Sequence, residues 1–243
     1  MNAANPEQEL AETFAEIARS LQAQGSVQET LQRIVDLAVD TIDSCEHAGV
    51  TLIKAGKFET PAGTDDVPGK VDRVQYQTDE GPCLSAIREH EIYEIGDLSK
   101  EERWPKFATR AHDETGVRSM LCFRLFADED TRGALNMYSK AESAFEDTDR
   151  AVGSVFAAHA AVALSTAMEH NQLEEAIRSR DVIGQAKGIL MEREGVTADE
   201  AYDILRRSSQ NLNVKLRDLA AKVAESPAPK AEKRDGSLST PGK

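Results

Sequence analysis

Near the C-terminal end of the 243-residue chain, Arg178, Arg180, Lys187, Arg193, Arg206, Arg207, Lys215, Arg217 and Lys222 recur at intervals short enough to share one small folded unit. Guanidinium and ammonium groups in such a series bind phosphate. Any solvated helix also carries them, so no single one is decisive. Lys187 stands apart because Ala186, Gly188, Ile189 and Leu190 surround it, where a cation was easy to avoid. It is the strongest candidate for a phosphate contact. Gly184 and Gly188 each cost about 0.5–1 kcal/mol in a helix relative to alanine, so something must compensate. A packed neighbouring helix is the expectation at Gly184, whereas Gly188 suits a helix or a nucleic-acid backbone equally. Arg206, Ser209, Asn213 and Lys215 bracket a break in helical pattern, where exposed amide, hydroxyl and cationic groups would reach the splayed bases of an RNA loop. Arg193 completes the candidate set. Tyr202, the only aromatic residue of this stretch, lies beside Ala201, Ile204 and Leu205 and is expected in the core.

These residues need helices to hold them. IGQAKGILMER, ADEAYDILRRSS and KLRDLAAKV read as three helical segments. Gly195 follows the first as a left-handed terminator, and Thr197 with Glu200 forms a capping box for the second. In the third, Leu216, Leu219, Ala220 and Val223 fall at i, i+3, i+4 and i+7, an apolar face that requires a partner. The order AKGILMER, EAYDILR and NVKLRDLA resembles the ANTAR family over about residues 173–224. That resemblance implies an all-α three-helix module working as a dimer on paired RNA hairpins.

The net charge of −14 argues at first against nucleic acid, but its distribution is uneven. Residues 1–168 hold 16 Lys and Arg against 30 Asp and Glu, residues 169–226 hold 9 against 11, and residues 227–243 hold 4 against 2. A nearly neutral module must rely on local cation clusters and hairpin shape, so binding should be modest and salt-sensitive. Cys45, Cys83 and Cys122 form no C-x-x-C pair, which suits a reducing cytoplasm. The five scattered histidines offer no metal-ligand spacing, and neither metal nor cofactor is expected. No leader peptide and no membrane-spanning run of about 20 apolar residues is expected.

The front region changes period. Glu7–Leu21 and Val27–Ile42 read as helices, with Phe14, Ile17, Ala18 and Leu21, then Leu31, Ile34, Val35 and Ala38, as buried stripes. Ala48–Lys54, Val71–Gln77, Ile92–Ile95, Ser119–Phe126 and Gly133–Ser139 read as strands of a mostly antiparallel sheet, with a turn at Asp128–Asp130. A final helix begins after Phe145. The class is α+β. QYQTDEGPCLSA, the WPKFATRAHDETGVRSMLCFRLF stretch and RGALNMYSKAESAFEDTDR resemble a GAF domain over about residues 10–167. A sheet with flanking helices and a small-molecule sensor pocket are what this implies, with Tyr76, Cys83 and Trp104 as ligand-binding candidates. The NKFDE-type motif of cyclic-nucleotide-binding relatives is absent, so the ligand is not readable. Phe123-Arg124 replaces a usual proline, which puts the local strand geometry in question. Cys83 is expected to be buried; a thiol near a helix N-terminus can alternatively carry a lowered pKa. Trp104 is expected to anchor a loop.

No proline occurs between Glu146 and Glu194, so one connecting helix of about 45 residues, roughly 70 Å long, can join sensor to output. Leu164, Met168, Asn171, Glu175 and Arg178 step at coiled-coil spacing, a candidate homodimer seam. The expected organisation is a GAF-like domain at 1–168, an ANTAR module at 169–226 and a disordered tail at 227–243. The implied function is a cytoplasmic, non-enzymatic RNA-binding antitermination regulator acting on structured leader mRNA. Alternatives are translational regulation through the same RNA, a helix-turn-helix DNA binder, and a cysteine-dependent methionine sulfoxide reductase.

Overall fold

The computed structural model describes residue 12 and residues 15–21, 25–54, 56–89, 92–126 and 131–226. Phe14, the Asp128–Asp130 turn, much of the first expected helix and the tail beyond Ser226 lie outside the described residues. Two compact units divide between Gln172 and Leu173.

In the first unit a five-stranded sheet forms in the order β2-β1-β5-β4-β3, where β1 is His47–Lys54, β2 Lys57–Gly63, β3 Tyr93–Ile95, β4 Ser119–Phe126 and β5 Thr131–Ser139. Every pairing is antiparallel. The β4–β5 register runs unbroken from Ser119↔Ser139 to Phe126↔Arg132, so Phe123-Arg124 leaves the strand regular.

The two-residue side-chain period gives the sheet two core-facing sides. Val50, Leu52, Leu121, Phe123, Leu125, Leu135 and Met137 join the core made with α1 (Val27–Thr41) and the first part of the long helix. Met120, Cys122, Ala134 and Tyr138 join the opposite core, made with α2 (Asp66–Thr78), α3 (Pro82–Glu89) and α4 (Pro105–Thr115). The helix α1 starts where Ser26 accepts from the Glu29 N–H, and its stripe Leu31, Ile34, Val35 and Ala38 is buried as the spacing predicts.

Residues 71–77 form part of α2 rather than a strand. Asp65 caps this helix by accepting from the Val67 N–H, and Pro68, Val71, Asp72, Val74 and Gln75 are its buried face. That set has helical spacing, but two of its five members, Asp72 and Gln75, are polar, which hid the period. The edge strand β2 was not expected; it is half-exposed and holds Pro61, tolerated at a sheet edge.

The helix α5 spans Asp147–Glu194, in accord with the absence of proline. Within the first unit it seats on the sheet at Gly153, where an added Cβ would lie 2.5 Å from the Phe123 ring. Phe156, Ala157, Ala160, Leu164 and Met168 are buried there. The expected absence of a long apolar run is corrected: α5 has an 18-residue window of mean hydropathy 1.5, apolar enough by composition to cross a membrane. Burial of these five side chains against the sheet accounts for much of that character.

In the second unit the end of α5 packs with α6 (Ala198–Leu212) and α7 (Leu216–Glu225). Its core is small: Ala186, Leu205 and Ala220, flanked by Val182, Ile183, Leu190, Leu216 and Val223.

Candidate nucleic-acid interface and sensor interior

Local chemistry fixes the second unit's corners. Gly195 has φ of 67° and its N–H donates to the Met191 carbonyl, closing α5 as a left-handed cap. Thr197 and Glu200 form the reciprocal capping box at the start of α6. At the other end Asn213 takes a left-handed conformation with φ of 52°, and Lys215 is the first residue before α7.

The seven candidate contact residues separate into groups. Lys187, half-buried, lies on the α5 segment with its Nζ 5.9 Å from the centroid of the Tyr202 ring, and Gly188 is exposed beside it. Among the described residues, and apart from the chain neighbours and the backbone of the helix itself, no heavy atom lies within 4 Å of a Cβ built on Gly184 or Gly188, so helix packing does not explain the first glycine as expected. Arg206 is exposed and pairs with Asp203 at 3.1 Å. Arg193 reaches the Ser226 carbonyl at 2.8 Å. Around the α6–α7 turn, Asn213 and Lys215 are exposed. Ser209 is not: it is 9% exposed and its hydroxyl donates to the Val214 carbonyl at 2.6 Å, so it builds the turn instead of presenting a hydroxyl. Tyr202 is likewise corrected from core to surface, at 40% exposure, because Ala201 and Leu205 take the buried positions of α6.

The first unit holds a polar cluster inside the core between the sheet and α2. The Asp72 carboxylate is fully buried and accepts from Thr51 and Thr60 hydroxyls, each at 2.7 Å, and from the Tyr76 hydroxyl at 3.2 Å. Its other oxygen accepts from the Gln75 amide at 3.0 Å and faces the Cys83 thiol at 3.6 Å. Gln75 in turn accepts from the Cys83 N–H at 3.0 Å. Gly81 makes this possible: at φ of 137°, an added Cβ would fall 2.2 Å from the Gln75 carbonyl oxygen. Asn136 donates to Thr51 at 2.9 Å, leaving its own carbonyl oxygen and the buried Tyr138 hydroxyl without a partner among the described residues.

Burial raises the Asp72 pKa above the ordinary carboxylate value, against the pull of the hydrogen bonds from Thr51, Thr60, Tyr76 and Cys83. Desolvation also pushes the Tyr76 hydroxyl up, with Asp72 adding to it. For Cys83, burial and then the neighbouring Cys122 thiol raise the pKa, which corrects the alternative of a helix-activated thiolate. Cys45 is pushed up to about 12 by burial, and all three cysteines are free. Trp104 is 8% exposed, edge-on to Tyr93 at 5.3 Å and beneath the Arg103 guanidinium at 4.6 Å, as expected of an anchor.

A groove of about 730 Å³ also opens in the first unit, lined by Ala18, Leu21, Thr30, His159, Val162 and Thr166 among others. Val162 is 68% exposed and Val155 36%. Leu164 and Met168, placed in the expected coiled-coil seam, are instead consumed by the unit's own core.

The GAF domain profile matches residues 24–165 and the ANTAR domain profile residues 171–223. No curated protein matches the chain. Among solved structures, the GAF domain of an Acinetobacter phosphoenolpyruvate-protein phosphotransferase is similar at 17% identity, with 68% of this chain and 97% of that chain covered and a TM-score of 0.53. The corresponding Coxiella burnetii GAF domain gives 13%, 71%, 99% and 0.53. The reduced form of fRMsr from Staphylococcus aureus gives 14%, 68%, 99% and 0.51. At these identities the similarity is one of fold.

Proposed function

The chain belongs to the GAF domain family and carries an ANTAR domain behind its GAF domain, and on that premise we propose that it is an RNA-binding transcription antitermination regulator. Its ANTAR unit binds paired hairpins in a nascent leader mRNA and so prevents an overlapping terminator from forming. The same contact made after transcription would regulate translation. The observation that carries this reading is the ANTAR match itself, which falls on the three-helix unit whose Arg193, Arg206 and Lys215 are exposed and whose Lys187 is half-buried beside an exposed tyrosine. Lys187, Gly188, Arg193, Arg206, Asn213 and Lys215 supply the contact surface, and Ser209 holds the turn that presents two of them.

The active species in this reading is a homodimer, because two hairpins need two modules. Val155 and Val162, with the adjoining apolar groove, are the seam in place of Leu164 and Met168. We read the GAF domain as regulatory rather than catalytic and assign its small-molecule input to the polar interior near Tyr76 and Cys83. The orphaned Asn136 and Tyr138 oxygens support a hydrogen-bonding ligand there. Free, buried cysteines support a cytoplasmic location.

Transcription in vitro through a leader carrying two hairpins and an overlapping terminator tests the reading. Read-through should rise with added protein and fail to rise with Lys187→Ala. Unchanged termination at saturating protein, with RNA binding intact, would reject antitermination and leave the translational role.

A further inference from the structure

We infer that Tyr202 is a stacking platform for one unpaired base of the bound RNA loop, with Lys187 taking the phosphate beside that base; this rests on the RNA-binding reading above. A single exposed tyrosine would ordinarily need no explanation. Here its surroundings supply one. The core of the second unit is closed without it, since Ala201 and Leu205 of the same helix are 0% and 1% exposed while Tyr202 is 40% exposed. A cation already sits over the ring, with Lys187 Nζ 5.9 Å from the centroid. At an exposed site this attraction is weak enough to be exchanged for a phosphate oxygen.

The surface next to Lys187 is also open to close approach. Gly184, three residues earlier on the same helix, and Gly188, the next residue, have no atom of another described segment within 4 Å of a built Cβ. A nucleic-acid backbone can therefore lie nearer the helix axis there than side chains would allow. One turn beyond Tyr202 on α6, Arg206 is exposed and, among the described residues, pairs with the half-exposed Asp203, an interaction that yields readily to phosphate. An aromatic face flanked by two cations matches the alternation of base and phosphate along a single-stranded loop. An apolar protein partner would leave both cations unmatched.

The test uses the full chain and a fluorescent two-hairpin RNA, titrated by anisotropy with wild type, Tyr202→Phe, Tyr202→Leu and Lys187→Ala, and repeated with abasic nucleotides at each loop position. Wild-type binding establishes the RNA-binding reading independently of Tyr202. Tyr202→Phe should then bind within about twofold of wild type, while Tyr202→Leu should lose roughly 5- to 150-fold, the range of one base–aromatic stack. At one loop position, removing the base should weaken wild type to the level of Tyr202→Leu and add nothing to that variant's loss. The slope of log affinity against log salt should fall by about 1 for Lys187→Ala and stay unchanged for Tyr202→Leu. Equal binding by the Leu and Phe variants, or no loop position that cancels their difference, would overturn the stacking role while leaving RNA binding intact. No RNA binding by wild type would overturn both.

Discussion

Asp72 puts an ionisable group inside an apolar core, and its consequences can be read from pH alone. Burial raises its folded-state pKa above the unfolded value of about 3.9. A raised folded pKa means that this group's contribution to stability is fully present below the unfolded pKa and is lost as pH rises through the folded one. The melting temperature of Asp72→Asn minus that of wild type should therefore become more positive from about pH 4 upward; a difference that falls with pH would show Asp72 to be stabilised in its ionised form. Ser209 gives a second residue-scale test. Loss of its buried hydroxyl in Ser209→Ala should destabilise the second unit by about 1 kcal/mol in chemical denaturation, while Lys215→Ala should have little effect on stability. Loss of RNA binding with unchanged stability in Ser209→Ala would instead restore Ser209 as a direct contact. The sequence singled out Lys187 as a candidate by its apolar setting but could not separate a turn-building Ser209 from an exposed Asn213, because both are small polar residues near one turn. Only the fold reveals that one hydroxyl points at the Val214 carbonyl.

At the scale of elements, the capping signals around Gly195 and Thr197 were legible because they depend on residues within one or two turns. Thr197→Ala should cost about 1 kcal/mol of stability in the second unit, measured by denaturant unfolding, and no measurable loss would remove the capping box from the account. The helix α2 was illegible for the opposite reason. Its buried positions include Asp72 and Gln75, so apolar periodicity records only Pro68, Val71 and Val74 of the face. The long helix shows a different limit. Spacing identified Leu164 and Met168 as an apolar stripe, yet spacing does not say which surface covers it, and the sheet of the same chain does. Val162 is left outward at 68% exposure. If the proposed homodimer forms through this face, wild type should sediment as a dimer at micromolar concentration and Val162→Glu as a monomer without unfolding of the first unit; a monomeric wild type would contradict the dimer, and a variant that stays dimeric would place the seam elsewhere.

For the whole molecule, the acidic front region and the nearly neutral ANTAR unit bear on how strongly the proposed RNA target would be held. A net charge of −14 repels phosphate at long range, so in the proposed function affinity would come from a few short-range contacts and from two modules acting together. The fold class and the order of the two domains could be read from motifs spread along the chain. The polar interior of the GAF domain could not, since it is assembled from residues as far apart as Thr51 and Asn136. The most direct measurement is equilibrium binding of the purified full chain to a two-hairpin leader RNA, beside its single-hairpin half and a duplex DNA of equal length, at several salt concentrations. The account predicts clear preference for the paired hairpins, an affinity that falls with salt, and weaker binding with a smaller salt dependence in Lys187→Ala. Equal affinity for all three nucleic acids, or preference for the duplex DNA, would contradict it.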